Sequence, residues 1–170
     1  MSEILSKPRS VGLVVALLFA LGLMACVGDD TGPLPVDATT GKCPVCKMKV
    51  KAEDAWASEI IYADGTKLMF ETPGDMLTFY SDPARFDVAA AQKDLSKVEK
   101  ILVKEYKTKA HIDARNAVLV YKSKINGPMG PDVIAFNASS EAEAFVAENG
   151  GTVLALNQLT PEMVKNLRKK

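Results

Sequence analysis

Ala55-Trp56-Ala57-Ser58-Glu59-Ile60-Ile61-Tyr62, then Ala63-Asp64-Gly65, then Thr66-Lys67-Leu68-Met69-Phe70, is the stretch that decides the fold. Two runs rich in β-branched and aromatic residues flank an Asp-Gly turn, the pattern of a β-hairpin. Thr72 follows as a helix cap, with Pro73 at the first helical position and Asp75 at the third. Met76, Phe79 and Tyr80 then share one helical face, and Asp82-Pro83 ends it. Residues 84–95 are Ala-rich and predict a short helix, and residues 98–107 predict a strand through Ile101, Val103 and Tyr106.

The same order returns. Residues 117–122 read as a strand, Asn126-Gly127-Pro128-Met129-Gly130-Pro131 as a loop, and residues 133–136 as a strand. Ser139 or Ser140 caps a helix, with Glu143 placed to complete a capping box on Ser140. Asn149-Gly150-Gly151 stops that helix, residues 152–156 form a strand, and Thr160-Pro161-Glu162 opens a last helix. The order strand-strand-helix-strand occurs twice, so the predicted fold is α+β, a pseudo-repeat of two small units. The units are expected at residues 43–110 and 111–170.

The N-terminus reads as a targeting segment. Lys7 and Arg9 precede an apolar run from Val11 to Leu23, which is short for a membrane span of about 20 residues. Leu23-Met24-Ala25-Cys26 resembles a lipobox, which makes residues 1–25 a lipoprotein signal peptide and Cys26 the lipidated first residue of the mature chain. Residues 26–42, rich in Gly, Asp, Thr and Pro, are expected as a disordered, flexible tether. The expected location is therefore the surface of a bacterial membrane, held by a lipid anchor and facing the periplasm.

Roughly 145 residues remain after the leader, enough for one compact domain or two very small ones. With 21 basic and 21 acidic residues the formal charge is zero, which gives no electrostatic footprint for nucleic acid. Lys165, Arg168, Lys169 and Lys170 read as a solvated helix end.

Of the three cysteines, lipidation of Cys26 leaves Cys43 and Cys46, in Cys43-Pro44-Val45-Cys46-Lys47-Met48. A thioredoxin-type pair needs the motif at a helix start after a buried strand, and a tether precedes it here. Structural zinc needs four ligands, and the rest of the chain offers one histidine. Monovalent copper accepts two to four soft sulfurs, and Cys46 and Met48 face the same side of an extended segment. The spacing alone leaves copper, a disulfide or redox pair, and zinc all open. No Ser-His-Asp arrangement, phosphate loop or carboxylate pair at a catalytic spacing points to an enzyme.

The Cys43–Met48 stretch, Asp64-Gly65 with Phe70, Ile112-Asp113-Ala114, Gly127-Pro128-Met129-Gly130 before an apolar strand ending in Phe136, and a helix with Phe145 before Gly150-Gly151 occur in this order. Over about residues 41–157 the chain resembles the NosL-type proteins. The resemblance implies two related small α+β units and a lipoprotein Cu(I) chaperone serving maturation of nitrous oxide reductase, part of denitrification. The implied partners are an apo copper enzyme and an ABC-transporter maturation complex. Carried over position by position, Cys46 and Met48 match the family's Cys-x-Met, with Lys47 where the family has Gly. Met129, set between turn formers, is the expected third ligand. Cys43 is a further sulfur or a resolving thiol, and His111, the lone histidine, is a candidate ligand. Met69, Met76 and Met163 are expected in the core. Beside the metal carrier stand two other readings: an extracytoplasmic thiol-disulfide redox protein using Cys43 and Cys46, and a purely structural lipoprotein.

Overall fold

The computed structural model describes residues 41–169. The expected signal peptide, the expected lipidation site Cys26 and the expected tether up to residue 40 lie outside the described residues.

The Asp-Gly turn forms as its residues dictate. β1 (Ser58–Tyr62) and β2 (Lys67–Phe70) pair antiparallel with Ile60 opposite Leu68. Gly65 takes φ +83°, which glycine adopts without a Cβ clash, and Oδ1 of Asp64 accepts from the amide and hydroxyl of Thr66. Residues 55–57 fall outside the strand because the chain there turns, with the amide of Ala57 on the carbonyl of Asp54 at 3.0 Å.

α1 (Pro73–Ser81) starts on the expected cap: Oγ1 of Thr72 accepts from the amide of Asp75 at 3.2 Å. The stretch expected as one short helix is instead a series of 3-10 turns at Pro83–Arg85, Ala90–Lys93 and Leu95–Lys97. β3 (Val98–Lys104) then pairs with the far side of β1, and β4 (His111–Asp113) pairs with β3. The first sheet has the order β2-β1-β3-β4.

In the second half, β5 (Val118–Gly127) and β6 (Gly130–Phe136) form one long hairpin. Pairing runs up to Gly127 opposite Gly130, so the predicted loop over 126–131 is only the tip of that hairpin, beyond a bulge between Tyr121 and Asn126. α2 (Ser139–Asn149) follows, but its cap is Ala138, so the Ser140–Glu143 capping box does not form. β7 (Thr152–Leu154) lies on the other side of β5, giving the order β6-β5-β7. α3 (Pro161–Asn166) is capped by Thr160, whose Oγ1 accepts from Met163 at 3.2 Å.

The repeat is topological as well as sequential. In each half the first strand is central, its hairpin partner lies on one side, and the strand after the helix lies on the other. The halves share a core: Ile60, Leu68, Phe79 and Ile101 pack in one cluster with Leu119, Val133, Val164 and Leu167. The opposite face of the second sheet, with Val120, Ile134 and Phe136, is covered by Ala142 and Phe145 of α2. Of the methionines expected in the core, Met76 is fully buried and Met69 and Met163 pack against its edge. Among the described residues no helix is long and apolar enough to cross a membrane.

Candidate metal centre

A tight loop carries the two thiols. Gly41 and Lys42 already belong to it: Lys42 bridges Lys49, and the carbonyl of Gly41 accepts from Val50 at 2.9 Å. Inside that frame the amide of Cys43 donates to Met48 at 2.8 Å and the amide of Lys47 to Cys43 at 2.9 Å. Closing so short a loop forces Lys47 to φ +65°. The amide of Cys46 points at Sγ of Cys43 from 3.4 Å, a donor that favours the thiolate over the thiol. Cys43 is fully buried and joins the core, while Cys46 is half-buried, and both are free thiols. The motif sits in a loop ahead of β1 rather than at a helix start, so the thioredoxin setting is absent here too.

Two carboxylates face the sulfurs. Sγ of Cys43 lies 3.5 Å from Oδ2 of Asp75, and Sγ of Cys46 lies 3.4 Å from Oε2 of Glu71. Both acids sit where β2 passes into α1, so the helix cap that fixes Thr72 also fixes this side of the site. The two sulfurs and an oxygen of Asp75 all lie within 4.8 Å of one another. Burial pushes both thiol pKa values up. The negative charge of Asp75 adds to the rise at Cys43, and hydrogen bonding with Asp75 and Cys43 adds to it at Cys46.

Behind Asp75 stands a second layer from the other half of the molecule. Arg168 donates from Nη1 to Oδ1 of Asp75 at 2.7 Å, and from Nη2 to Oγ1 of Thr72 at 3.1 Å and Oδ2 of Asp132 at 3.2 Å. Oδ1 of Asp132 accepts from the amides of Gly74 at 2.6 Å and Val133 at 2.9 Å. Asp75 and Asp132 are both fully buried. Burial drives the Asp132 pKa up, and its hydrogen bonds and the Arg168 charge oppose this. Arg168 is therefore an ion-pair partner folded over the site, in contrast to the solvated helix end expected from the basic C-terminus. Its role is invisible to local patterns, because Asp75 is 93 positions away.

The remaining predicted residues take up different places. Met48 and Met129 are 51% and 41% exposed, two of only three large apolar side chains this open among the described residues. Met48 closes the thiol loop, and Met129 stands at the tip of the β5–β6 hairpin. His111 lies on β4 outside the sulfur cluster, with Nε2 4.0 Å from Oε1 of buried Glu59, whose Oε2 is 3.7 Å from Nζ of Lys67. Burial, then the charge of Lys104, lowers the His111 pKa. Trp56 packs over the second cluster and Tyr62 donates to the Gln92 carbonyl, so both are packing residues.

Two soft sulfurs on a hydrogen-bonded loop, one of them reachable from outside, fit a soft monovalent cation. A groove lined by Lys42, Cys43, Pro44, Lys47 and Val88 runs alongside. The family model for NosL matches residues 34–164. Among solved structures, the crystal structure of the copper chaperone NosL from Shewanella denitrificans superposes with a TM-score of 0.59 at 23% identity, covering 77% of this chain and 99% of that one. No curated protein matches the chain.

Proposed function

Because the chain belongs to the NosL family, we propose that it is a non-catalytic copper carrier, which binds Cu(I) through Cys43 and Cys46 and passes it to an extracytoplasmic metalloenzyme. The observation that carries this reading is the pair of thiols meeting at one point, with Cys46 half-exposed and Met48 open beside it. A similarly folded protein is a copper chaperone.

The chemistry follows from the two environments. Buried Cys43 anchors the ion, and its proton leaves with Asp75 as the nearest acceptor. Cys46, next to Glu71 and solvent, is the exchangeable side. Met48 and Met129 supply thioether sulfur from exposed positions, which suits capture and release better than permanent storage. A partner's thiolate or imidazole enters at this open edge, forms a shared-ligand intermediate, and draws the ion away as Cys46 is reprotonated. Thiols with raised pKa values suit this exchange. They disfavour the redox reading, since a redox nucleophile needs a lowered pKa.

The recipient we favour is nitrous oxide reductase, assisted by an ABC-transporter maturation complex, with the protein tethered to the membrane through lipidated Cys26. Competition between the reduced protein and a Cu(I) chelator under anaerobic conditions tests the metal. One Cu(I) should bind far more tightly than Zn(II), and tight tetrahedral zinc with no Cu(I) preference would overturn the reading. Mixing the loaded protein with apo nitrous oxide reductase should build the enzyme's copper absorption. Mass spectrometry of native protein should find the acyl chains on Cys26.

A further inference from the structure

We propose that the lysines flanking the thiol loop, Lys42, Lys47, Lys49 and Lys51, form a docking collar for an acidic face on the protein that receives the copper. The proposal rests on the copper-carrier reading above and adds the chemistry of the partner's surface.

Residues 41–52 hold four lysines and no acidic residue, in a chain whose formal charge is zero. All four lysines are exposed, and so is Met48 between two of them. Lys51 lies 4.0 Å from Glu53, but Lys42, Lys47 and Lys49 make no ion pair among the described residues. The nearby acids are otherwise engaged. Asp75 is buried and tied to Arg168, and Glu71 faces Sγ of Cys46 at 3.4 Å. Asp87 shares the groove with Lys42 and Lys47 and pairs with neither.

Lys47 carries a further sign. It holds φ +65°, a conformation that disfavours a residue with a Cβ, and no ion pair in the fold offsets that strain. Strain without a structural return is the mark of a position kept for function. The place fits. Lys42 and Lys47 line the same groove as Cys43, and Lys47 and Lys49 bracket Met48. The charges therefore flank the edge at which Cys46 and Met48 are open.

A body docking at this edge meets the ion, so it must bring a ligand that can take it. In the exchange the acceptor's thiolate bonds Cu(I) as the bond to Sγ of Cys46 breaks. The acceptor's proton passes to Cys46 through solvent, and the copper stays monovalent. An anionic membrane would match the charge, but it offers no soft ligand and would cover the edge that must stay open. Because the whole chain is neutral, the attraction orients this face rather than the molecule at large. Such charges act on encounter rate more than on affinity.

The test is the Cu(I)-loaded full chain carrying Lys42→Gln, Lys47→Asn and Lys49→Gln together, under anaerobic conditions. Asparagine tolerates the left-handed position. Copper release is timed with two small thiols of nearly equal size, the anion 2-mercaptoethanesulfonate and the cation cysteamine. At an ionic strength of about 0.01 M, where screening reaches about 30 Å, the anion-to-cation rate ratio should fall by about fivefold or more in the variant. Equilibrium Cu(I) affinity should move by less than about twofold, while transfer to apo nitrous oxide reductase slows by about tenfold and loses its salt dependence. An unchanged thiol ratio in the folded variant overturns the proposal. So does transfer to the reductase that neither salt nor the substitutions alter. If the substitutions change only retention on phosphatidylglycerol vesicles, the patch serves a membrane and the proposal falls. Should the variant not fold, the same ratio measured on the parent protein decides instead: it should drop as salt is raised to about 1 M, where screening leaves about 3 Å, and a flat ratio overturns the proposal. A parent that binds no Cu(I) sinks the carrier reading, whereas a parent that binds it and fails the ratio test sinks the docking collar alone.

Discussion

The amide of Cys43 donates to the carbonyl of Met48 at 2.8 Å, and the residue just before that carbonyl's owner, Lys47, sits at φ +65°. The first fact explains the second. A loop that returns in six residues needs a left-handed position, and the family's Cys-Gly-Met pattern puts glycine there. A residue with a Cβ costs roughly 1–2 kcal/mol in that conformation, against about 0.5–1 kcal/mol of extra chain entropy for glycine. Lys47→Gly should therefore stabilise the apo protein by about 0.5–1 kcal/mol. A urea titration should show a higher midpoint at unchanged slope. A lower midpoint would mean that the lysine side chain makes contacts worth more than its strain.

Gly74 answers to a different demand. A Cβ built there would lie 2.8 Å from Oδ1 of Asp132 and 2.8 Å from Cδ2 of Leu167. Asp132 cannot give way without losing the 2.6 Å bond from the Gly74 amide. Gly74→Ala should wedge the two halves apart and cost about 1–3 kcal/mol. Thermal unfolding should show this as a Tm lower by several degrees, without loss of the thiol pair's metal stoichiometry.

Much of this was legible in the chain because the signals are local. Asp64-Gly65, Thr72-Pro73 and Thr160-Pro161 each act through neighbours within three residues, and all three formed as read. Cys43 and Cys46 met because a short loop leaves them nowhere else to go. What the sequence hid is what depends on distant pairing. β4 has three residues, too few to show an alternation, and exists because it completes β3. Gly127 and Pro128 read as a loop, yet they only tip a hairpin whose length is set by cross-strand bonding. Asp75 was visible as a helix-start residue, but nothing nearby announced that Cys43 and Arg168 would share its carboxylate. The one available hint was an aspartate placed inside an otherwise apolar first turn.

The raised thiol pKa values fix the sign of two pH effects. Metal must displace protons, so Cu(I) affinity should rise with pH, by about tenfold per unit for each proton released. Chelator competition at pH 6, 7 and 8 measures the slope, and a flat profile would rule out thiolate ligation. For the apo protein, a group whose pKa is higher folded than unfolded stabilises fully below its unfolded value. That stability is lost as pH climbs above about 8.5, the ordinary thiol value. Tyr62, pushed up to about 12, acts in the same sense above about 10. Apo protein should therefore melt at a lower temperature at pH 9.5 than at pH 8, and Cys43→Ser with Cys46→Ser should flatten that fall.

The ligand set separates by substitution. Cys46→Ser should nearly abolish Cu(I) binding, and with Cys43 at the centre of the cluster Cys43→Ser should cost almost as much. Met48→Leu and Met129→Leu keep volume and remove only sulfur. At positions 51% and 41% exposed they should leave the melting temperature alone. Each should weaken Cu(I) binding by roughly tenfold, about 1.4 kcal/mol. His111→Gln should leave affinity unchanged, because Nε2 faces Glu59 from β4, outside the sulfur cluster. Anaerobic competition titrations beside melting curves distinguish ligand loss from unfolding. If Met129→Leu changes neither the affinity nor the copper–sulfur absorption, the hairpin tip plays no part and the site closes within Cys43 to Met48. If His111→Gln weakens binding at full stability, the first sheet contributes a ligand and the cluster must open toward β4 when copper arrives.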